Sequence, residues 1–91
     1  MRISRNASEA LIVRKVPFTY PLEAKEKGIR GAVTLNVMVD RHGDVVSCQL
    51  RQGDPVLGKA SIETVMQWKF RPYLLEGEAI DFETSVQVIY H

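Results

Sequence analysis

Residues 32–39 read Ala-Val-Thr-Leu-Asn-Val-Met-Val, and this alternation constrains the fold more than any other stretch of the chain. Val33, Leu35, Val37 and Val39 fall on one face of an extended segment, while Thr34, Asn36 and Met38 fall on the other. A period of two sustained over that length calls for a strand with one face buried and one face wet. That is the pattern of an antiparallel sheet covered on a single side. Arg41-His42-Gly43-Asp44 then supplies turn chemistry, with Gly43 suited to a left-handed position, and β-branched Val45-Val46 resumes a second strand. A hairpin is therefore expected at the centre of the fold.

Two proline-marked segments bracket this hairpin. Upstream, Val16-Pro17-Phe18-Thr19-Tyr20-Pro21 leads into the signature of a short helix. Pro21 suits the first helical position, Glu23 the first turn, Lys25 and Lys27 the last, and Gly28 the position just beyond the end. Downstream, Asp54 reads as an N-cap with Pro55 as the first residue of a second helix. Leu57, Ser61, Thr64-Val65 and Trp68 form its apolar stripe, with Ile62 and Met66 as a narrower second one. Ser61 and Thr64 can bond back to helix carbonyls and allow close approach to the sheet. Arg71-Pro72 releases the chain, because a residue before proline is disfavoured in the α region.

Residues 73–75 read as extended, Glu76-Gly77-Glu78 as a turn, and residues 82–90 alternate again with Phe82, Val86, Val88 and Tyr90 inward. Near the start, Arg2-Ile3-Ser4-Arg5 is compatible with a short edge strand and Asn6-Ala7-Ser8 with a turn. The expected architecture is α+β: two helices packed on one face of a three-stranded antiparallel sheet, with an optional short strand at the N-terminus. One domain is expected over residues 1–91, with 1–15 as an extension and 16–91 as the core.

Composition narrows the function. Twelve basic and eleven acidic residues give a net charge of +1, without the concentrated positive charge of a nucleic-acid binder. The outward strand positions Thr34, Asn36, Met38, Glu83, Ser85 and Gln87 also hold no aromatic on which a base could stack. Cys48 is the only cysteine, which excludes an intrachain disulfide and a multi-cysteine zinc site. By strand parity with Val46 and Leu50 it is expected to act as a small core hydrophobe. No stretch approaches the ~20 apolar residues of a membrane span, and Leu11-Ile12-Val13 is too short for the apolar region of a signal peptide. The chain is expected to be cytoplasmic or a piece of a longer exported protein.

Reactive constellations are not expected. Asp40, His42 and Asp44 alternate across a hairpin tip, too few for a metal site without further ligands, and turn chemistry accounts for both aspartates. Glu76, Glu78, Asp81 and Glu83 surround an exposed turn, where no cleft would drive two carboxyl groups apart in pKa. No serine or cysteine has an identifiable base and orienter, and no glycine-rich loop precedes a helix as phosphate cradles require. The expectation is no enzyme, no cofactor and no metal.

In order and spacing, several motifs resemble one family. Tyr20-Pro21-x-x-Ala24, Gly28-Ile29-x-Gly31-x-Val33 and Val39-Asp40-x-x-Gly43-x-Val45 are followed by Gly53-x-Pro55-x-Leu57 with Ala60. Then come Val65-x-x-Trp68-Lys69-Phe70-x-Pro72 and Gly77 before a final strand. From about Val13 to Tyr90 the chain resembles the C-terminal domain of TonB energy transducers. The resemblance implies a periplasmic module that engages the TonB box, a short extended segment of an outer-membrane TonB-dependent transporter. In the full-length parent, an inner-membrane anchor and motor complex turn proton-motive energy into a pull on the transporter. A chain without that anchor and its proline-rich spacer is expected to bind but not to transduce. Ser61 and Thr64 stand where the family commonly has alanines.

Carried over from the family, the partner-contact regions are Pro17, Phe18, Thr19, Tyr20 and Pro21, and the last strand from Glu83, Thr84, Ser85 and Val86 to Gln87, Val88, Ile89 and Tyr90. The expected mode is strand addition at an edge of the sheet. A peptide of five to seven residues would make roughly four to six backbone bonds, for an affinity on the order of micromolar. The same edge would permit a homodimer. The alternatives are a structural or cell-wall-associated envelope domain, or such a domain appended to a membrane sensor-peptidase.

Overall fold

The computed structural model describes residues 1–91. Three helices and seven strands follow one another in the order α1 (Arg5–Glu9), β1 (Ile12–Arg14), α2 (Leu22–Glu26), β2 (Gly31–Val39), β3 (Val45–Gln52), α3 (Pro55–Val65), β4 (Lys69–Phe70), β5 (Tyr73–Leu75), β6 (Glu78–Ile80) and β7 (Phe82–Tyr90). The main sheet is antiparallel with spatial order β3-β2-β7, and two-stranded pairs β1-β4 and β5-β6 flank it. The α+β class and the central three-stranded sheet agree with the expectation. The arrangement around them is richer, with a third helix and four additional short strands.

The alternation in β2 decides the layering. Val33, Leu35, Val37 and Val39 are buried and face Val88, Val86, Thr84 and Phe82 of β7. On the other side Val37 pairs with Cys48 and Leu35 with Leu50 of β3. The helix α3 lies across β2 and β3, sealing that apolar face with Leu57, Ser61 and Val65. Its start is as expected: Asp54 caps it by accepting from the Val56 and Leu57 N–H groups at 2.8 and 3.3 Å, with Pro55 in the first turn. Trp68 lies beyond its end, and Met66 of the second stripe is exposed.

Two details depart from strand and helix parity. Met38 pairs with Ser47 but Val39 with Val45, so Val46 is the extra residue of a bulge and turns to solvent while Cys48 keeps the core face. Pro21 sits one place earlier than expected. Its extended backbone (φ −63°, ψ 137°) makes it the N-cap of α2, with its carbonyl accepting the first helical bond from Lys25. The end of α2 closes as the sequence implied. The Ile29 N–H reaches the Ala24 carbonyl at 2.8 Å and the Gly28 N–H reaches that of Lys25 at 3.2 Å.

The largest correction concerns the first residues. Asn6, Ala7 and Ser8 do not form a turn but lie within α1, capped by the Ser4 hydroxyl, which accepts from the Ala7 N–H at 3.1 Å. The helix packs against β7, where the Thr84 hydroxyl donates to Ser8 Oγ at 2.8 Å in a buried pair. The chain then runs through β1, antiparallel to β4, and β4 is tied to the hairpin tip by a bond from the Phe70 N–H to the Gly43 carbonyl. Residues 1–15 thus wrap the end of the main sheet that carries the β2–β3 hairpin.

Candidate functional site

Because β7 lies at one edge of the main sheet, one row of its backbone groups faces away from β2. In an antiparallel ladder a residue points both its N–H and its C=O to the same side, and the side alternates along the strand. Glu83 shows which residues point outward. Its N–H donates to the Met1 carbonyl at 2.7 Å, and its carbonyl accepts from the Ile3 N–H at 2.9 Å. Two residues at a time, the same orientation belongs to Ser85, Gln87 and Ile89. Past Glu83 no backbone group of the chain pairs with this edge.

The side chains divide the strand in the same way. Phe82, Thr84, Val86 and Tyr90 are buried and Val88 is half-buried, so these residues give their backbone to β2 and their side chains to the core. Of the eight β7 positions expected to meet a partner, Ser85, Gln87 and Ile89 are the ones with outward backbone groups left unpaired. Ile89 is 60% exposed, an apolar side chain on the wet face of the sheet.

The second predicted region, residues 17–21, converges on the far end of the same strand. The Phe18 ring meets Trp68 edge-on at 5.6 Å and Tyr90 at 6.5 Å, and Tyr20 meets Tyr90 at 5.3 Å. Trp68 donates its indole N–H to the Val16 carbonyl at 2.9 Å, and the Tyr20 hydroxyl donates to the Ile29 carbonyl. Pro17 and Thr19 point to solvent, and Pro21 is half-buried beside α2. Tyr20, one of the expected partner contacts, has its ring and hydroxyl both engaged within the fold. All seven aromatic residues (three Phe, three Tyr and Trp68) form one chain of ring contacts, Tyr20–Tyr90–Phe18–Trp68–Phe70–Phe82–Tyr73. Along β7 this spine includes both ends, Phe82 and Tyr90.

A cleft runs beside this edge, between β7 and the N-terminal elements. Its lining includes the aromatic Phe18, Trp68 and Phe70, the polar Ser85 and Gln87 of β7, and the cationic Arg5 and Lys15. Lys15 stacks its ammonium over Trp68 at 5.4 Å and pairs with Glu9 at 2.9 Å. The arrangement offers backbone donors and acceptors with cations close by.

Two of the carboxylates singled out in the sequence, Asp40 and Glu83, are engaged in structure. Asp40 Oδ1 accepts from the Asp44 and His42 N–H groups at 3.0 and 2.9 Å, and these bonds, that of Asp44 foremost, hold its carboxyl below the ordinary range. Arg2 does the same for Glu83 through a bond of 2.7 Å. Burial pushes the Cys48 thiol up to about 11, which leaves it a poor nucleophile at neutral pH.

Sequence reasoning missed Arg2, Arg5 and Lys15 as neighbours of this edge. Their partners are more than fifty residues away in the chain, and no local pattern announces such pairings. Ser4, a good N-cap residue, was the one available signal for α1.

The sequence model described as "Gram-negative bacterial TonB protein C-terminal" matches residues 16–91. The chain belongs to this family. The Protein TonB of Vibrio cholerae serotype O1 (strain ATCC 39315 / El Tor Inaba N16961) is 34% identical over 81 residues, 87% of this chain. The chain spans about a third of that relative, 33% of its length. Among solved structures, the solution NMR structure of the Pseudomonas aeruginosa TonB CTD superposes with a TM-score of 0.69 at 20% identity. It covers 88% of this chain and 83% of that one, which establishes a shared fold. The TonB C-terminal match begins at residue 16, so α1, β1 and the contact of residues 1–3 with β7 lie outside it.

Proposed function

We propose that this domain is the periplasmic binding end of a TonB-type energy transducer, and that it captures the TonB box of an outer-membrane transporter as an added strand on β7. The observation that carries this reading is the row of unpaired outward backbone groups at Ser85, Gln87 and Ile89, in a chain of this family. Three residues facing outward supply up to six bonds, each worth about 0.5–1.5 kcal/mol net. After the cost of association, an affinity on the order of micromolar results, weak enough for repeated capture and release. Transduction itself would be the task of an inner-membrane anchor elsewhere in the parent protein and of a partner motor complex in that membrane. The domain would supply the grip.

The test uses proline. The N–H groups of Ser85 and Gln87 point away from β2, so proline at either position removes a bond to the incoming peptide without breaking the β2–β7 ladder. Calorimetric titration with a synthetic TonB-box peptide from a transporter should show binding to the parent chain and its loss in Ser85→Pro and Gln87→Pro, with unchanged far-ultraviolet dichroism. Equal binding by folded proline variants would rule out strand addition at this edge.

A further inference from the structure

We propose that residues 1–5 act as an intramolecular strap, a short stand-in strand seated on the peptide-accepting edge of β7 that a partner peptide has to displace. This rests on the strand-addition reading of that edge and concerns its regulation. Both outward backbone groups of Glu83 are already spent on residues 1–3, and the Arg2–Glu83 pairing is parallel. Those are the bonds that the first residues of an added strand would otherwise make.

Side chains extend the coverage along the edge. Arg2 Nη1 bridges Glu83 Oε1 at 2.7 Å and Asn36 Oδ1 at 2.8 Å on the wet face of the sheet. Arg5 reaches further, with Nε and Nη2 at 3.3 and 3.2 Å from Ser85 Oγ and Nη1 at 3.4 Å from Gln87 Oε1. Its guanidinium therefore clasps the side chains of Ser85 and Gln87, two of the three residues whose outward backbone groups are unpaired. An incoming strand and the Arg5 side chain cannot both lie there.

The strap is built for release. Met1, Arg2, Ser4 and Arg5 are exposed and only Ile3 is half-buried against the core, so a pair of backbone bonds, the packing of that one side chain and a few solvent-exposed polar contacts hold it. Exposed pairs of this kind contribute little individually. The anchor behind it is firmer, because Ser8 of α1 is buried and bonded to Thr84. Residues 1–3 can therefore leave while the backbone of α1 stays docked, with Ser4 as the pivot, and the exposed Arg5 side chain swings away from Ser85 and Gln87 at the first position of the helix. A closed state favoured by these contacts lowers apparent affinity by the fraction of molecules in which the edge is open.

Calorimetry with the same synthetic TonB-box peptide tests the strap on four forms of the full chain: the parent, Ile3→Pro, the double variant Arg2→Ala/Arg5→Ala, and Ile3→Pro combined with Ser85→Pro. Ile3→Pro deletes the donor to Glu83 and leaves α1 intact; the arginine variant keeps the backbone and removes the clasp. Both should bind roughly five- to thirtyfold more tightly than the parent. Amide exchange at Glu83 should accelerate in Ile3→Pro, which shows the strap released whether or not peptide is present. Equal or weaker affinity in both release variants, with Glu83 exchange accelerated, overturns the strap while leaving the edge as the peptide site. Undiminished binding by the variant that also carries Ser85→Pro overturns the site itself, and the strap's role with it. No binding by any form overturns both.

Discussion

Gly43 shows how much one residue can hold in place. Its φ is +89°, and a β-carbon there would stand 2.0 Å from the Phe70 carbonyl oxygen. The close approach is what lets β4 bond to the hairpin tip, so Gly43→Ala has both a strained backbone and a clash with main chain to resolve. Urea unfolding should register a loss of about 3 kcal/mol or more; a loss below about 1 kcal/mol would mean that the tip rebuilds without β4. Glu83 carries a pH dependence. Its carboxyl is lowered in the folded state by the Arg2 hydrogen bond first and by that of the Asn36 side chain second. The contact is thus fully present above the ordinary carboxylate range and is lost as pH falls through the lower folded value. Exchange at the Glu83 amide, corrected for the intrinsic pH effect, should rise in that acidic window and stay level between pH 6 and 8.

Elements here range from ones that local chemistry specifies fully to ones that need a distant partner. The β5–β6 hairpin is of the first kind. Leu75 pairs with Glu78 across Glu76 and Gly77, which both have positive φ, 51° and 84°. That is a two-residue turn of the type in which asparagine or glycine is favoured at the first position. Glu76→Asn should stabilise the hairpin by about 0.5–1 kcal/mol, read as a higher thermal midpoint or slower amide exchange in β5 and β6. A lower midpoint would show that Glu76 contributes something beyond its backbone angle. The helix α1 is of the second kind. At five residues it is too short to persist alone, and it forms because Ser4 caps it and Ser8 and Thr84 dock it on β7. Its sequence pattern reads equally well as a turn, which is why residues 6–8 are expected as one.

For the molecule as a whole, the open edge of β7 is also the place where two copies could meet. The outward groups at Ser85, Gln87 and Ile89 are self-complementary in the way any strand edge is. The strap shortens that edge, and Arg5 places a cation across it. Sedimentation over a concentration series should therefore show the parent chain as a monomer at micromolar concentration and a greater tendency to dimerise in Arg2→Ala/Arg5→Ala. Dimerisation that is equal in both forms would place any self-contact elsewhere on the surface.

Strand alternation in β2 and β7, the cap at Asp54 and the closing turn at Gly28 act within about seven residues, so the chain by itself determines the sheet, α2 and α3 and which face is buried. With the spacing of its motifs, it also determines the family. The state of the β7 edge was decided by tertiary structure alone. Whether a row of backbone groups is open depends on what the rest of the chain lays beside it. Here residues 1–5 meet residues some eighty positions away, through exposed arginines that carry no periodic signature. Alternation already tells the inward from the outward positions of Glu83 to Tyr90; only folding shows that the outward groups of Glu83 are taken by residues 1–3 while those of Ser85, Gln87 and Ile89 stay unpaired.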